Sequence, residues 1–295
     1  MKFAVSYSGG KESALALYKA AQQGDTPAVL ITTYSTESDH SYSHGIDQAL
    51  LGRISDSLDI PILVVKTSSA RYKEDFQDAL RQAKLLGAQA CVFGDIDIEG
   101  HRQWFSELCQ NAGLEALFPL WGQPREQVVD DLIDSGFAAY ITSVNTKYLS
   151  ADFLGARLDK ETLRRIAACG CADICGENGE YHTIVSDGPI FKHPVHFTFG
   201  EKIVTDDCAI LPPKADVAQS YKFFSNTACS GFPCHQTKSP QYFNCKFCFC
   251  PLYAMGENCG GLFEMLENGV KSCLSCDFSH RPEHYEQMMA KLRGI

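Results

Sequence analysis

At 295 residues, with 45% hydrophobic and 21% charged side chains, the chain is long for one domain, comfortable for two, and apolar enough to exclude disorder. Its net charge of −10 is a poor match for a nucleic-acid surface, which needs clustered Lys and Arg; six Lys/Arg balance six Asp/Glu from Cys229 onward, so the excess sits in the first 228 residues. No early segment has the zones of a signal peptide and no apolar run approaches a membrane span, so a cytoplasmic protein without a membrane partner is expected.

The run Phe3-Ala4-Val5-Ser6-Tyr7 ends in Ser8-Gly9-Gly10-Lys11-Glu12-Ser13 and opens into Ala14-Leu15-Ala16-Leu17-Tyr18. That pattern reads as strand, tight turn and helix. Two adjacent glycines let the backbone turn sharply and come close to a ligand. The free N–H groups and dipole of the new helix favour an anion in the turn. Lys11 adds a point charge, and Ser8 and Ser13 add hydroxyl donors, so the natural occupant is a polyphosphate. The glycine spacing of a Walker A loop is absent. The plainer alternative is an ordinary glycine turn. The shorter Ser-Gly-Gly-Lys-x-Ser form is similar to the PP-loop of enzymes that split ATP into AMP and pyrophosphate.

Beyond it, Pro27–Tyr34 reads as a buried strand, Ser35–His44 as a polar turn, and Ile46–Leu58 as a helix with Ile46, Leu50, Leu51, Ile54 and Leu58 on one face. Ile60–Val65 is the next strand, Tyr72–Leu86 an amphipathic helix stopped by Gly87, Ala90–Asp95 an inner strand and Arg102–Ala112 a helix stopped by Gly113. This alternation predicts an α/β fold, a parallel twisted sheet covered on both faces. Leu117–Trp121, a helix Arg125–Ser135, a strand Ala138–Val144 and a helix Leu158–Ala168 capped by Asp159 follow. His182–Val185 and Val195–Phe199 alternate like exposed antiparallel strands, and Leu211-Pro212-Pro213-Lys214 resembles a linker. Ligands of open parallel sheets bind beyond the carboxyl ends of the strands. The site candidates are therefore Ser8–Ser13, Ser35–His44, Gly94-Asp95 and Ser143–Lys147. His101 and Arg102 read equally as phosphate contacts or a surface helix start. Asp95–Gly100 begins like a calcium loop, but Ser106 stands where the bidentate Glu belongs, so that reading is rejected.

Cys175-Gly176-Glu177-Asn178-Gly179-Glu180-Tyr181-His182-Thr183 is the second dense cluster. Two carboxylates, an amide, a hydroxyl and an imidazole suit a cationic or zwitterionic substrate, or help to hold Mg²⁺; a solvated hairpin turn is the alternative. Ser8–Ser13, His44, Gly94-Asp95-Ile96, Pro119-Leu120-Trp121, Asp134–Phe137, Gly176–Thr183 and Asp187-Gly188-Pro189-Ile190-Phe191 together resemble the diphthine–ammonia ligase family of PP-loop ATPases, in order, over roughly the first 195 residues. The resemblance implies an adenine nucleotide alpha-hydrolase fold and an ATP-dependent amidation. A carboxylate attacks the α-phosphate, pyrophosphate leaves, and ammonia displaces AMP from the acyl-adenylate. It also implies roles. Gly9, Gly10 and Lys11 N–H groups, with Ser8 and Ser13, hold the pyrophosphate, beside His44 and Gly94. Asp95 takes Mg²⁺ or the ribose. Glu177 and Glu180 handle ammonia, among the acceptor residues Asn178, Gly179, Tyr181, His182 and Thr183. Glu12 replaces the family's usual Asp. Glu-Asn-Gly-Glu-Tyr-His-Thr replaces the Glu-Gly-Gly-Glu-Tyr-Glu-Thr of the diphthine enzymes and resembles a bacterial branch tied to cobalamin salvage.

Eight of the fourteen cysteines lie in the last 67 residues. With Cys-x-x-Cys pairs in a reducing compartment they point to metal rather than disulfides. Cys245, Cys248, Cys273 and Cys276 form the natural first quartet. Cys229, Cys234, Cys250 and Cys259 form a second, with His235 or His280 as substitutes. Tetrahedral sulfur sites suit Zn²⁺, and an iron–sulfur cluster uses the same ligands. A unit this small has too little core to stand without a staple. Asn244–Tyr253 with Cys259-Gly260-Gly261 resembles the cysteine-rich small domain family. Cys91 and Cys109 read as core thiols, and Cys169, Cys171 and Cys175 as loop and core thiols, with a metal or redox trio as the alternative. The expected layout is an ATP-binding subdomain at 1–150, an acceptor-substrate subdomain at 151–212 and a cysteine-rich zinc domain at 213–295, with a homodimer admitted. A PP-loop tRNA-modifying or sulfur-transfer enzyme and a non-catalytic nucleotide-binding scaffold are the competing readings.

Overall fold

A computed structural model describes residues 1–37, 40–41, 44–216, 223–235, 237, 240 and 243–294. Part of the polar turn expected over Ser35–His44 lies outside the described residues. The chain divides into two compact units, Met1–Ala215 and Asp216–Ile295.

The first unit opens with β1 (Lys2–Ser6), α1 (Lys11–Gln22), β2 (Thr26–Ser35), β3 (His40–Ser41), α2 (Gln48–Leu58), β4 (Ile62–Thr67), α3 (Tyr72–Leu85), β5 (Ala90–Val92), α4 (Glu99–Ala112) and β6 (Glu115–Leu117). The strands β4-β2-β1-β5-β6 lie side by side and parallel, and the short β3 pairs antiparallel with β2. The chain runs outward from β1 through β2 to β4, then crosses back to β5 on the other side of β1. That reversal puts the switch point between β1 and β5, where open α/β sheets bind ligands.

Strand alternation supplies both faces of this sheet. Ala4, Val29, Ile31, Val65 and Cys91 pack with Phe76 and Leu80 of α3 and Leu108 and Cys109 of α4. The intervening Phe3, Val5, Leu30 and Val92 are equally buried, as are Leu15 and Leu17 of α1. Local chemistry fixes the ends of the helices. Asp47 accepts from Leu50 N–H at 2.6 Å to start α2, and Gly113, at φ 68°, ends α4.

Then come α5 (Arg125–Asp134), β7 (Ala138–Asn145), α6 (Lys160–Cys169), β8 (Tyr181–Asp187), β9 (Phe197–Phe199), β10 (Ile203–Val204), β11 (Cys208–Ile210) and β12 (Pro213–Ala215). Asp159 starts α6 by accepting from Thr162 N–H at 2.8 Å. A second, antiparallel sheet has the order β10-β11-β7-β8, so it draws on β7, before residue 150. The expected linker at Leu211–Lys214 is corrected here. Leu211 N–H donates to Thr142 O at 2.7 Å, and β12 pairs antiparallel with β9, opening on a buried Pro213. Proline at the first residue of an edge strand costs no ladder bond, so the stretch is ordered strand, and the two units divide just after it, between Ala215 and Asp216.

The second unit is built from single helical turns, one short hairpin of β13 (Glu264–Met265) and β14 (Lys271–Ser272), and α7 (Tyr285–Arg293). Its apolar centre is small: Leu252, Cys259 and Met288, with Phe247, Cys250, Phe263 and Phe278 against them. Among the described residues, no helix is long and apolar enough to cross a membrane.

Candidate active site

A cleft of about 670 Å³ opens at the switch point, within the roughly 300–1,000 Å³ usual for small-molecule sites. Its lining joins Ser8, Lys11 and Ser13 from the β1–α1 turn to Gly94 and Asp95 after β5, and to His44, Gly176, Glu177, Gly179 and His182. Three of the four stretches expected at strand ends thus converge. Ser143–Lys147 is not part of the lining, because β7 belongs to the antiparallel sheet.

The turn is shaped by close approaches. Gly9 takes φ 85°, in the left-handed region. A Cβ on Gly10 would lie 2.3 Å from His44 Cε1, and one on Gly94 would lie 2.8 Å from the Glu12 carbonyl carbon. Strand β8 closes the turn from behind. Val185 N–H donates to Gly9 O at 2.8 Å, and Lys11 N–H donates to Thr183 Oγ1 at 3.1 Å. Gly10 N–H faces Ser8 Oγ at 3.3 Å, and Ser13 Oγ donates to Gly10 O at 3.0 Å. The N–H groups of Gly10 and Lys11, expected on the anion, are therefore engaged inside the protein. Ser8 and Ser13 stand 3.2 Å apart on the cleft side.

Charge in the cleft is concentrated on four groups. Lys11 Nζ lies 2.6 Å from Glu12 Oε1 and 4.5 Å over the Tyr181 ring. Burial disfavours the ammonium, but Glu12, with smaller contributions from Cys175 and Glu177, offsets it and the pKa is raised. Glu177 is half-buried, and its pKa is pushed up to about 8, first by burial and then by the charge on Glu12. Asp95 is raised by burial and held back by His101, whose Nδ1 is 3.0 Å away. Burial also keeps His44 and His182 neutral, at about 4 and about 3, with their rings edge to face at 5.0 Å. His44 Nδ1 lies 2.7 Å from Thr183 O, which makes that nitrogen the donor.

The second motif divides its labour. Only one of its two glutamates faces the cleft. Glu180 is buried, and its carboxylate accepts from Asp173 N–H at 3.1 Å, Asn178 N–H at 3.0 Å and Asn178 Nδ2 at 3.2 Å. Glu180 and Asn178 therefore fold the loop rather than line the cleft. Tyr181 stacks under Lys11 and donates to Ile174 O at 2.6 Å.

Other contributors carry no local motif. Arg125 grips Asp97 with two bonds of 2.8 Å and Asp173 with one of 2.6 Å, while Asp173 accepts from Cys175 and Glu177 N–H groups at 3.1 and 3.0 Å. This chain of ion pairs positions Glu177. Cys175 is buried with Sγ 3.7 Å from Glu12 Oε1, and burial pushes its thiol up. Tyr72, Trp104 and Phe105 give the cleft an aromatic wall. At sequence level they read as one face of amphipathic helices, which hides such a role. Arg102 sits 4.7 Å over the Trp121 ring, away from the phosphate role considered for it.

In the second unit, Cys234, His235 and His280 offer ligand atoms all within 4.8 Å of one another. The trio joins Cys234 of the second expected quartet (Cys229, Cys234, Cys250 and Cys259) to both histidines named as its substitutes, and it takes no member of the first (Cys245, Cys248, Cys273 and Cys276). Thiolate and imidazole donors so placed fit a soft or borderline metal ion.

Comparison with known proteins agrees with this layout. A family model described as diphthamide synthase N-terminal domain matches residues 1–116, diphthamide synthase C-terminal domain matches 124–212, and cysteine-rich small domain matches 220–295. A Schizosaccharomyces pombe protein named diphthine–ammonia ligase is 24% identical over 69% of this chain, which spans 37% of that protein's length. A Danio rerio protein of the same name is 24% identical over 70% of this chain and 89% of its own length. A solved structure from Methanocaldococcus jannaschii, titled as a predicted subunit of tRNA methyltransferase, covers 66% of this chain and all of its own, with TM-score 0.34 and 16% identity. With both diphthamide synthase domains matched in order and a cysteine-rich small domain after them, the chain belongs to the diphthine–ammonia ligase family of PP-loop proteins.

Proposed function

We propose that the first unit is an ATP-dependent amide ligase that releases AMP and pyrophosphate. One observation carries the reading: strand β8 of the acceptor motif is hydrogen-bonded into the phosphate turn, through Thr183 on Lys11 and Val185 on Gly9, so that Glu177 and the turn share one cleft. The relatives named diphthine–ammonia ligase support it.

In this account ATP places its departing diphosphate against Ser8, Ser13 and Lys11, and its base against Tyr72 and Trp104. The acceptor carboxylate attacks the α-phosphorus, the bond to the bridging oxygen breaks, and pyrophosphate leaves. Lys11 stabilises the charge that builds on the leaving oxygens. Ammonia then attacks the acyl carbon, AMP leaves with the bonding pair, and the proton lost by nitrogen passes to Glu177. A carboxylate whose pKa sits near 8 is well matched to that transfer. Asp95 would hold Mg²⁺, which supplies further charge neutralisation on the phosphates. The mechanism needs positioning rather than a covalent enzyme intermediate.

The test is pyrophosphate release by the full chain given ATP, ammonia and a panel of carboxylates, including diphthine and cobalamin-related acids. Release that needs both a carboxylate and ammonia is expected. Release that instead needs tRNA, or tight ATP binding with no release under any condition, contradicts the proposal.

A further inference from the structure

We infer that His182 is a specificity residue of the cleft, and that it selects an acceptor acid carrying an uncharged hydrogen-bonding group, an amide or a hydroxyl, over one carrying a cation. The acceptor class so named belongs to the ligase cleft proposed above and rests on that reading.

His182 lies on β8 where the ladder to β7 is interrupted. Ile141 pairs with Thr183 and Ser143 with His182, so Thr142 is the extra residue of a bulge, the device that re-aims side chains beside sites. The next residue, Thr183, accepts from Lys11 N–H, so the imidazole stands one residue from the phosphate turn, and its ring borders the cleft. His44 holds that ring in place. His44 Nδ1 donates to Thr183 O at 2.7 Å, its Cε1 would lie 2.3 Å from a Cβ on Gly10, and its ring meets that of His182 edge to face at 5.0 Å. His44 is thus spent on the backbone, and His182 is not. Among the described residues, neither ring nitrogen of His182 has a hydrogen-bond partner. Burial first, then the charges of His44 and Lys11, keep this ring neutral, so it offers the cleft one N–H donor and one lone pair. A half-buried imidazole left unpaired is unfavourable until a ligand supplies its partner.

The carboxyl groups around it are already committed. Of the three that line the cleft, Glu12 lies 2.6 Å from Lys11 Nζ and Asp95 lies 3.0 Å from His101 Nδ1, while Glu177, pushed up to about 8, is mostly protonated at neutral pH. Glu180 spends its carboxylate on its own loop, and Asp97 and Asp173 are gripped by Arg125. The cleft also holds the buried cation of Lys11. An ammonium group on the acceptor would lose its water, meet a like charge and find a neutral imidazole, a combination that disfavours it. The cationic or zwitterionic acceptor suggested by the motif's two glutamates therefore has, among the described residues lining the cleft, no carboxylate left to hold it. An amide or hydroxyl gives His182 the partner it lacks.

The experiment follows binding rather than turnover. The full chain, its histidine rings labelled for nitrogen NMR, is loaded with α,β-methylene-ATP, which cannot release pyrophosphate, and titrated with three acids of like length: glutaramate, pentanoate and γ-butyrobetaine. Glutaramate is expected to bind about tenfold more tightly than pentanoate, the effect of one hydrogen bond, and γ-butyrobetaine more weakly than either. The His182 ring signals, identified by their loss in His182→Gln, should move with glutaramate and hold still with pentanoate. His182→Leu should bring glutaramate down to the level of pentanoate and leave pentanoate where it was, while His182→Gln keeps most of the preference; a merely structural role would shift all three acids alike. Glutaramate bound no more tightly than pentanoate or γ-butyrobetaine overturns the proposal, as do unmoved His182 signals under bound glutaramate, or no binding of any of the three. Should His182→Leu fail to fold, the order of the three acids on the unaltered chain decides. Failure of the ligase reading is seen separately, as no pyrophosphate release from ATP with any acid.

Discussion

Lys11 is buried almost completely, yet it keeps its charge because Glu12 lies against it and the Tyr181 ring lies beneath it. The pair holds a cation ready where a diphosphate would arrive. Lys11→Met is expected to lower pyrophosphate release about 100- to 1,000-fold, as loss of one preorganised charge does, and full turnover in that variant would refute the phosphate role. Glu177 gives a pH signature. Its base form accumulates only above its raised pKa, so at fixed free ammonia the rate should rise as pH passes about 8. Glu177→Gln should flatten that rise, and an unaltered profile would remove Glu177 from proton transfer. His44 acts on stability instead. Its folded pKa of about 4 lies below an unfolded value of roughly 6.5, so the unfolded chain binds the proton first and stability falls as pH drops between the two. At roughly 1.4 kcal/mol per unit the loss is about 3 kcal/mol. Denaturant melts from pH 7 to 4.5 should show it, and less of it in His44→Asn; equal slopes would contradict the assignment.

At the scale of elements, the first β–α turn works because neighbouring backbone comes closer than a side chain allows. Gly94→Ala sets a methyl against the Glu12 backbone at 2.8 Å, where nothing flexible can give way. A cost of about 1–3 kcal/mol is expected, read as a lower melting temperature; an unmoved one would show that the β5 end is loose. This close-packed turn was legible from Ser8-Gly9-Gly10-Lys11 alone, as were the strands and helices through Ala112 apart from β3, which falls in the expected polar turn, because period and glycine stops are local signals. Pairing across the second sheet was not legible. The alternation of His182–Val185 announced an antiparallel strand, but nothing local says that it is buried or that β8 and β11 flank β7. The same limit hid Arg125, whose partners Asp97 and Asp173 lie 28 and 48 residues away. It also concealed that Glu180 spends its carboxylate on its own loop while Glu177 faces the cleft. Two like residues in one motif differ only in where the backbone points them.

At the scale of the whole molecule, the two units differ in what holds them. Met1–Ala215 encloses a sheet packed on both faces, whereas Asp216–Ile295 buries few apolar side chains around eleven potential Cys and His ligands. A strong chelator is therefore expected to abolish the calorimetric transition of the second unit and leave that of the first in place. A uniform shift of both transitions would contradict a metal-dependent second unit. The cysteine pattern pointed toward metal from the start, but that Cys234, His235 and His280 converge was not legible, because His280 comes from a separate turn more than forty residues further along the chain.

The most direct measurement of the central claim is a crystal structure of the full chain soaked with AMP and pyrophosphate. The account expects pyrophosphate on Ser8, Lys11 and Ser13, and AMP between that turn and the Tyr72–Trp104 wall with its phosphate toward Glu177. Pyrophosphate bound elsewhere, with the turn facing solvent alone, would contradict it.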